Sequence, residues 1–320
     1  MPWTLEDSKK LSQSKLTNYV IDEFRKSPLL DAMVFDDTVR PGGNSLAYVY
    51  NRVTTQPTAA GRALNTEYTP QVAKTDQVTV NLKVFGGSFE IDRVLANNET
   101  QVLDTVRFQL EQKIKATRAL FEDWFINGDS ATDATAFDGL DKALTGSSTE
   151  TVLATPIDMS SASAIEVNWK AFLYNLRQAL KLLDGAPSIM AVNQDMFAVF
   201  QSVADFSSQF NATKSEMGSE IVKYGASTIM LMGDKPGTNS PIIPTDASTG
   251  ATDIYFARLA MDGVHGVTPT GSKEPQTHLP NMALPGAVKK GEVEMIAATA
   301  IKATKAAGIL RGIKVVPAQS

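Results

Sequence analysis

Cysteine is absent from all 320 residues, which excludes disulfides, thiolate metal sites and cysteine nucleophiles together. A basic excess is missing too, since the formal net charge is −5 and the pI is near 5.2. With no positive surplus to displace counterions from phosphates, avid free-standing nucleic-acid binding is not expected. No stretch approaches the roughly twenty consecutive apolar residues of a membrane-spanning helix. The opening Met-Pro-Trp-Thr-Leu-Glu-Asp-Ser-Lys-Lys also lacks the apolar centre of a signal peptide. The chain is therefore expected in cytoplasm, or in a particle assembled there, without a membrane partner.

Recognisable catalytic motifs are also lacking. No Gly-x-Ser-x-Gly elbow occurs, and no Gly-x-Gly-x-x-Gly follows a strand. Gly266-Val-Thr-Pro-Thr-Gly271-Ser272-Lys273 fails as a phosphate loop, because the lysine must directly follow the second glycine and lead into a helix. The two histidines, His265 and His278, stand in Gly- and Pro-rich loops without metal-site spacing. Asp129, Asp133, Asp138 and Asp141 gather without the spacing of a calcium loop, and turn or cap roles account for them. No catalytic residue, cofactor or metal is expected. An α/β enzyme stays open as an alternative that has a fold but no site.

What is present is a chain 43% apolar, enough for a substantial core divided into two or more lobes. Its dominant feature is an uninterrupted helical pattern from Glu99 to Ile126. Val102, Val106, Leu110, Ile114, Phe121 and Trp124 share one face, with Leu103, Leu120 and Phe125 beside them. Such a rod is roughly 40 Å long. Asn97 or Asn98 suits its N-cap, Glu99 its first turn, and Gly128 a left-handed residue closing its last turn.

Before the rod, residues 1–35 carry Trp3, Leu5, Leu11, Leu16, Val20, Ile21 and Phe24 at loosely helical spacing up to Ser27-Pro28. This suits either an arm lying on another subunit or a packed N-terminal helix. Period-two patterns predict strands over 46–53 and 78–84, the second continuing through Phe85 to Ile91. The Thr54 to Gln77 connection has no hydrophobic periodicity and is far longer than a hairpin tip. It is expected to project from the body and touch something else.

After the rod come Asn127-Gly128-Asp129, a small polar loop and Phe137-Asp138-Gly139-Leu140. Thr145 to Thr155 reads as a connection between lobes. An α/β pattern follows, with a helix over 168–183, a strand over 188–192, and a helix over 194–204 capped by Asn193. A strand over 228–232, a Pro-, Thr- and Ser-rich loop over 233–250, and a strand over 254–259 come next. Segments 292–303 and 308–316 are strand-like. They either close as a hairpin or return to pack on the long helix.

The Asn127-Gly128-Asp129 stop, followed by Phe137-Asp138-Gly139-Leu140, resembles the spine helix and following turn of tailed-bacteriophage major capsid proteins of the Hong Kong 97 fold. The order of arm, extended loop, spine, axial lobe and returning strands is similar over nearly the whole chain, as is Ile254 to Gly263 before the C-terminal strands. The resemblance implies an α+β fold with an N-terminal arm (1–45), an extended loop (46–91), a peripheral domain (92–149 and 291–320) and an axial domain (150–290). In that domain the 233–250 loop would lie near a five-fold or six-fold axis.

It also implies a non-enzymatic subunit that forms hexamers and pentamers of an icosahedral head in the host bacterial cytoplasm. Its partners would be copies of itself, packaged double-stranded DNA held without sequence preference, a portal, and separate scaffolding or decoration proteins. An encapsulin-like nanocompartment is the alternative within the fold. Met1 lies almost on the arm, so internal scaffolding is expected to be absent, separate or removed. Lys74 is the only lysine in the 54–77 loop, and no acceptor for an inter-subunit covalent link is identifiable. Arg62, Glu67, Lys74 and Asp76 of the loop are expected to meet Asp129, Asp133 and Asp138 at a neighbour's spine end.

Overall fold

The structure, a computed structural model, describes residues 28–40, 43–96, 102–207, 210–214 and 220–317. The expected arm or helix with Trp3 to Phe24, and the Asn97 or Asn98 cap with Glu99, lie outside the described residues. The described part begins with one turn, α1 (Leu29–Ala32), then β1 (Phe35–Asp37) and a minimal ladder of β2 (Val39–Arg40) and β3 (Gly43–Asn44). Next, β4 (Ala47–Thr55) and β5 (Lys74–Asn81) pair, among the described residues, only with each other. β6 (Lys83–Asp92) and the short α2 (Arg93–Ala96) lead to the 26-residue spine α3 (Val102–Asn127). After it come α4 (Leu140–Leu144), β7 (Glu150–Asp158), α5 (Ala162–Leu180), β8 (Ile189–Val192), α6 (Gln194–Phe206), β9 (Phe210–Lys214) and β10 (Glu220–Tyr224). The chain ends with β11 (Ser227–Leu231), β12 (Ala251–Ala257), β13 (Val264–Thr268), β14 (Gln276–His278), β15 (Val288–Ile301) and β16 (Ala307–Lys314).

Two main sheets result. The five-stranded one runs β1-β13-β15-β14, with β6 also on β15. β15 organises it, pairing antiparallel with β6 from Val288↔Asp92 to Ala297↔Lys83, and then with β13 up to Ile301↔Val264. The spine packs across β6 and β15. Its apolar face is deepest at the C-terminal end, where Phe121, Phe125 and Ile126 are fully buried. There Phe85 meets Trp124 edge-on at 5.0 Å, and Phe137 meets Phe121 at 5.5 Å and Trp124 at 5.7 Å. Aromatic pairs of this kind each add about 0.5–1.5 kcal/mol beyond burial.

The seven-stranded sheet runs β7-β16-β12-β8-β11-β10-β9. α5 and α6 bury Phe172, Leu176, Met196 and Phe200 in the same cluster as Met190, Ile254, Phe256 and Leu310 of its strands. Ser161 caps α5 by accepting from Ala164 N–H, and Asn193 caps α6, as expected, by accepting from Met196 N–H. β8 is buried on both faces, which is why Ile-Met-Ala-Val reads as an unbroken apolar run. Ile189 and Ala191 join the spine's core, while Met190 and Val192 join the helices' core.

Several expectations change. Gly128 is not left-handed. A Cβ there would lie 2.2 Å from the Phe137 carbonyl oxygen and 2.5 Å from that of Trp124, and one on Gly139 would lie 2.4 Å from the Trp124 oxygen. Glycine is required because two backbones touch, and Gly139 N–H donates to Gly128 O at 2.8 Å. Gly139→Ala is accordingly expected to lower stability by about 3 kcal/mol or more, as overpacking against backbone does at its upper end. Gly185→Ala, which meets nothing within 4 Å, is the control and should be neutral. Equal urea midpoints for the two variants would sink this reading.

Residues 150–155, expected in a connection, belong to β7; it is an edge strand, the position where Pro156 is tolerated. The β9–β10 pair was not legible from the sequence. β15 and β16 form no hairpin: β15 lies under the spine, and β16 sits between β7 and β12 in the other sheet. In strand pairing, β13 and β14 lie in the sheet under the spine, and β16 lies in the sheet that α5 and α6 cover. Loop 233–250 does not stand free within the chain. Its Ile242 and Ile243 are buried, and Asn127 Nδ2 at the spine's end donates to Ile242 O at 2.7 Å.

Candidate assembly interface

The β4–β5 hairpin and the segment it carries form the most exposed part of the described chain. Every residue from Val53 to Gln77 is exposed, including Leu64 at 91% and Val72 at 78%. The segment has only local order. Gln71 Oε1 accepts from Thr58, Asn65 turns the tip with a φ of 67°, and Arg62 donates to the carbonyls of Ala63 and Thr66 while covering the Tyr68 ring. Apolar side chains left in water gain about 25 cal/mol per Å² when covered. No described residue covers them.

The base of the hairpin is fastened, by contrast. Tyr50 Oη donates to Ile301 O at 2.7 Å, and Arg52 donates to Ile301 O at 2.6 Å and Lys302 O at 3.0 Å. Tyr48 Oη donates to Asp36 Oδ2 at 2.5 Å, and Lys302 Nζ lies 5.3 Å from the Tyr48 ring and 3.6 Å from Asp36. Burial, then the Asp36 bond, raises the Tyr48 hydroxyl well above its ordinary value. For Asp36, burial pulls upward but is outweighed by Tyr48 and by Lys302, so its carboxyl is held down. Tyr48, Tyr50 and Arg52 were not singled out as site residues. Their shared face at period two beside a coreless loop is the signal that marks them.

The charges expected to pair between copies are placed as follows. Arg62, Glu67, Lys74 and Asp76 all lie on the exposed hairpin. Asp129 and Asp138 are brought together by Lys142, whose Nζ is 2.5 Å from one and 2.8 Å from the other. Asp138 also accepts from Ser130 N–H and Asp129 from Ala131 N–H, while Asp133 accepts from Thr135. Hydrogen bonds, to Lys142 for Asp129 and to Thr135 for Asp133, lower both carboxyls. Within one chain the loop charges and the acids do not meet. Asp141 is paired instead with Arg311 at 2.7 Å.

No cluster of His, Asp and Glu able to hold a metal occurs among the described residues. His265 is buried and His278 exposed in β14, so the two do not converge. The open cleft between Leu180–Pro187 and Tyr224–Ser227 contains one carboxylate, Asp184, already paired with Arg258 at 3.0 Å. No helix among the described residues is long and apolar enough to cross a membrane.

A spine across one sheet, a second sheet with two helices, and a projecting hairpin define the Hong Kong 97-type fold of viral capsid and encapsulin shells. Over 100% of this chain and 99% of the other, the protein is similar to a chain of the holo-SrpI encapsulin complex from Synechococcus elongatus PCC 7942, with a TM-score of 0.63 and 14% identity. It is similar to the capsid of Myoviridae Phage XM1 over 94% and 97% of the two chains, with a TM-score of 0.63 and 10% identity. The capsid of a native GTA particle aligns over 97% and 100%, with a TM-score of 0.59 and 11% identity. No protein-family profile and no curated protein matches the sequence. The resemblance read from the spine and its following turn thus holds at the level of fold.

Proposed function

We propose that this chain is a major capsid protein, a non-enzymatic subunit that assembles into hexamers and pentamers of an icosahedral tailed-phage head around double-stranded DNA. The observation that carries the reading is the hairpin segment, ordered only locally and apolar at Leu64, Tyr68 and Val72, on a fold otherwise found in shells. A surface of that kind is completed by a neighbouring copy. Arg62, Glu67, Lys74 and Asp76 are the charges it offers there, with Asp129, Asp133 and Asp138 as the acidic counterpart. The net negative charge fits a container, which confines a genome without gripping its phosphates. A portal and separate scaffolding or decoration proteins complete this proposal, with assembly in the bacterial cytoplasm.

An encapsulin-like nanocompartment is the second reading, favoured by the end-to-end alignment with the chain of the Synechococcus elongatus encapsulin complex. Electron microscopy of the purified protein is expected to show closed shells of uniform size. Discrete small oligomers at every concentration would overturn both readings and return the enzyme alternative. Nuclease-protected double-stranded DNA inside shells isolated from the native source is expected on the phage reading. A packaged protein with no DNA would replace that reading with the compartment. Boiled, denatured particles are expected to run as a monomer band, and a ladder of linked species would restore covalent joining through Lys74.

A further inference from the structure

We propose that His265 is an acid-released latch on the base of the β4–β5 hairpin: uncharged it lets Tyr48 close over it, and protonated it loosens the Tyr48, Asp36 and Lys302 contact that holds the hairpin down. The latch is a property of one chain and does not depend on what a shell encloses.

The geometry is that of a titratable group walled in at a joint. His265 is 0% exposed, and neither Nδ1 nor Nε2 has a well-formed hydrogen bond, the Gly263 backbone offering only a marginal one. It sits on β13 opposite Ala300 of β15, and the ring of Tyr48 closes on it edge-on at 5.7 Å with an interplanar angle of 78°. The groups around it come from four segments. Asp36 is on β1, where it pairs with Val267, two residues along the parallel β1–β13 ladder from His265. Tyr48 stands on β4, followed by Tyr50 and Arg52 on the same face. Lys302 follows β15 and contacts both Asp36 and the Tyr48 ring. The Gly263 carbonyl and Asp262 lie just before β13, and Asp262 feels the charge of Lys302.

A proton on this ring creates a second cation beside Lys302, with Asp36 as the carboxylate the two share, since Asp262 is already paired with Arg258 at 2.8 Å. The imidazolium competes with Tyr48 for that carboxylate, and relief comes from moving Tyr48, and with it the first part of β4, outward. The anchors at Tyr50 and Arg52 go to backbone carbonyls and do not titrate with His265, so the hairpin loosens at its base while the sheets stay folded.

Burial, followed by the charge of Lys302, pushes His265 down to about 4, against the opposing pull of Asp36 and the Gly263 carbonyl. An open latch exposes the ring and restores a value near 6.5. The closed form is therefore fully favoured above pH 6.5. It loses ground as pH falls toward 4, because the open form takes up the proton first.

The test is hydrogen–deuterium exchange of the full chain at pH 7 and pH 4.5, corrected for intrinsic rates. Protection at Ala47–Asn51 and Gln77–Asn81 is expected to fall at least tenfold more than protection at Ile189–Val192. In His265→Phe and His265→Gln, which cannot take the proton, that excess should shrink below threefold. An unchanged excess in either folded variant overturns the latch, as does its disappearance only in Asp36→Asn, which would make the carboxylate the trigger. If neither histidine variant folds, exchange at the imidazole C2 position reads His265 directly in the unaltered protein, with His278 as the only other signal. A midpoint below 5 is expected, and one near 6.5 overturns the proposal.

Discussion

Arg311→Ala is expected to lower unfolding free energy by about 2–3 kcal/mol, the range for losing hydrogen bonds to charged groups at a partly covered site. The guanidinium donates Nε to Glu150, Nη1 to Asp253 and Nη2 to Asp141, each at 2.7 Å, and Nη2 also reaches Thr145 Oγ1 at 2.9 Å. Those partners come from β7, from β12, from α4 and from the residue that follows α4, so one side chain on β16 ties the turn after the spine to three strands of the other sheet. Burial alone would lower the Arg311 pKa, but Glu150 and Asp141 outweigh it and hold the cation charged. Burial already raises Asp253 despite that cation. Alanine would leave three carboxylates facing one another in a half-closed space.

Arg311→Lys keeps the charge but not the fork, and an intermediate loss is expected. The pH dependence has a definite sign. For Glu150, the Gly146 N–H and then Arg311 outweigh burial and lower its pKa from 4.5, so the stability it contributes is present above pH 4.5 and lost as pH falls through its lowered value. The gap between the parent and Arg311→Ala should therefore narrow in acid. Urea unfolding at pH 7 and pH 3.5 measures both effects. A loss under 1 kcal/mol at pH 7 would show the hub to be incidental.

Joining Thr55 to Lys74 through an Asn-Gly turn, with 56–73 deleted, is expected to abolish shells while leaving the chain folded. Asn-Gly favours the two-residue turn that matches strand twist. No residue of 56–73 is buried, so the urea midpoint should move by no more than about 0.5 kcal/mol in equivalent stability, as for surface changes generally. Assembly should fail outright, because covering Leu64, Tyr68 and Val72 by a neighbour is what the segment contributes on the proposed reading. Arg62→Ala and Lys74→Ala are milder, since exposed ion pairs bring only about 0–1 kcal/mol each. Their losses would appear as lower heat and salt tolerance of particles. Shells of normal size from the deleted chain would remove the hairpin from the account.

How much of this was legible in the sequence follows from where each element lies. The spine was readable because Val106 to Trp124 repeats at helical spacing over many turns, and Asn193 because caps act locally. The hairpin's isolation was readable from missing periodicity over 54–77. β7 was not, because an edge strand carrying Pro156 looks like a connection. The separate destinations of β15 and β16 were not either, since their patterns are alike and pairing partners are not written in a strand. Gly128 was identified for a conformation when close backbone approach to Phe137 is the reason, a relation made only once the chain returns. Arg311 and His265 gain their meaning from partners distant in the chain, Asp141 for one and Tyr48 for the other.

The hairpin's fastening has a mechanical consequence. Tyr50 and Arg52 grip the carbonyls of Ile301 and Lys302, the short step by which the chain leaves the five-stranded sheet and enters the seven-stranded one. That step is itself tied on both sides, with Asp184 N–H donating to Lys305 O and Arg258 N–H to Ala306 O. A pull on the hairpin is therefore delivered to the segment both sheets share, and the load divides between them. On the proposed reading, tension passing from one copy to the next would be spread through a whole subunit before any single strand could peel away.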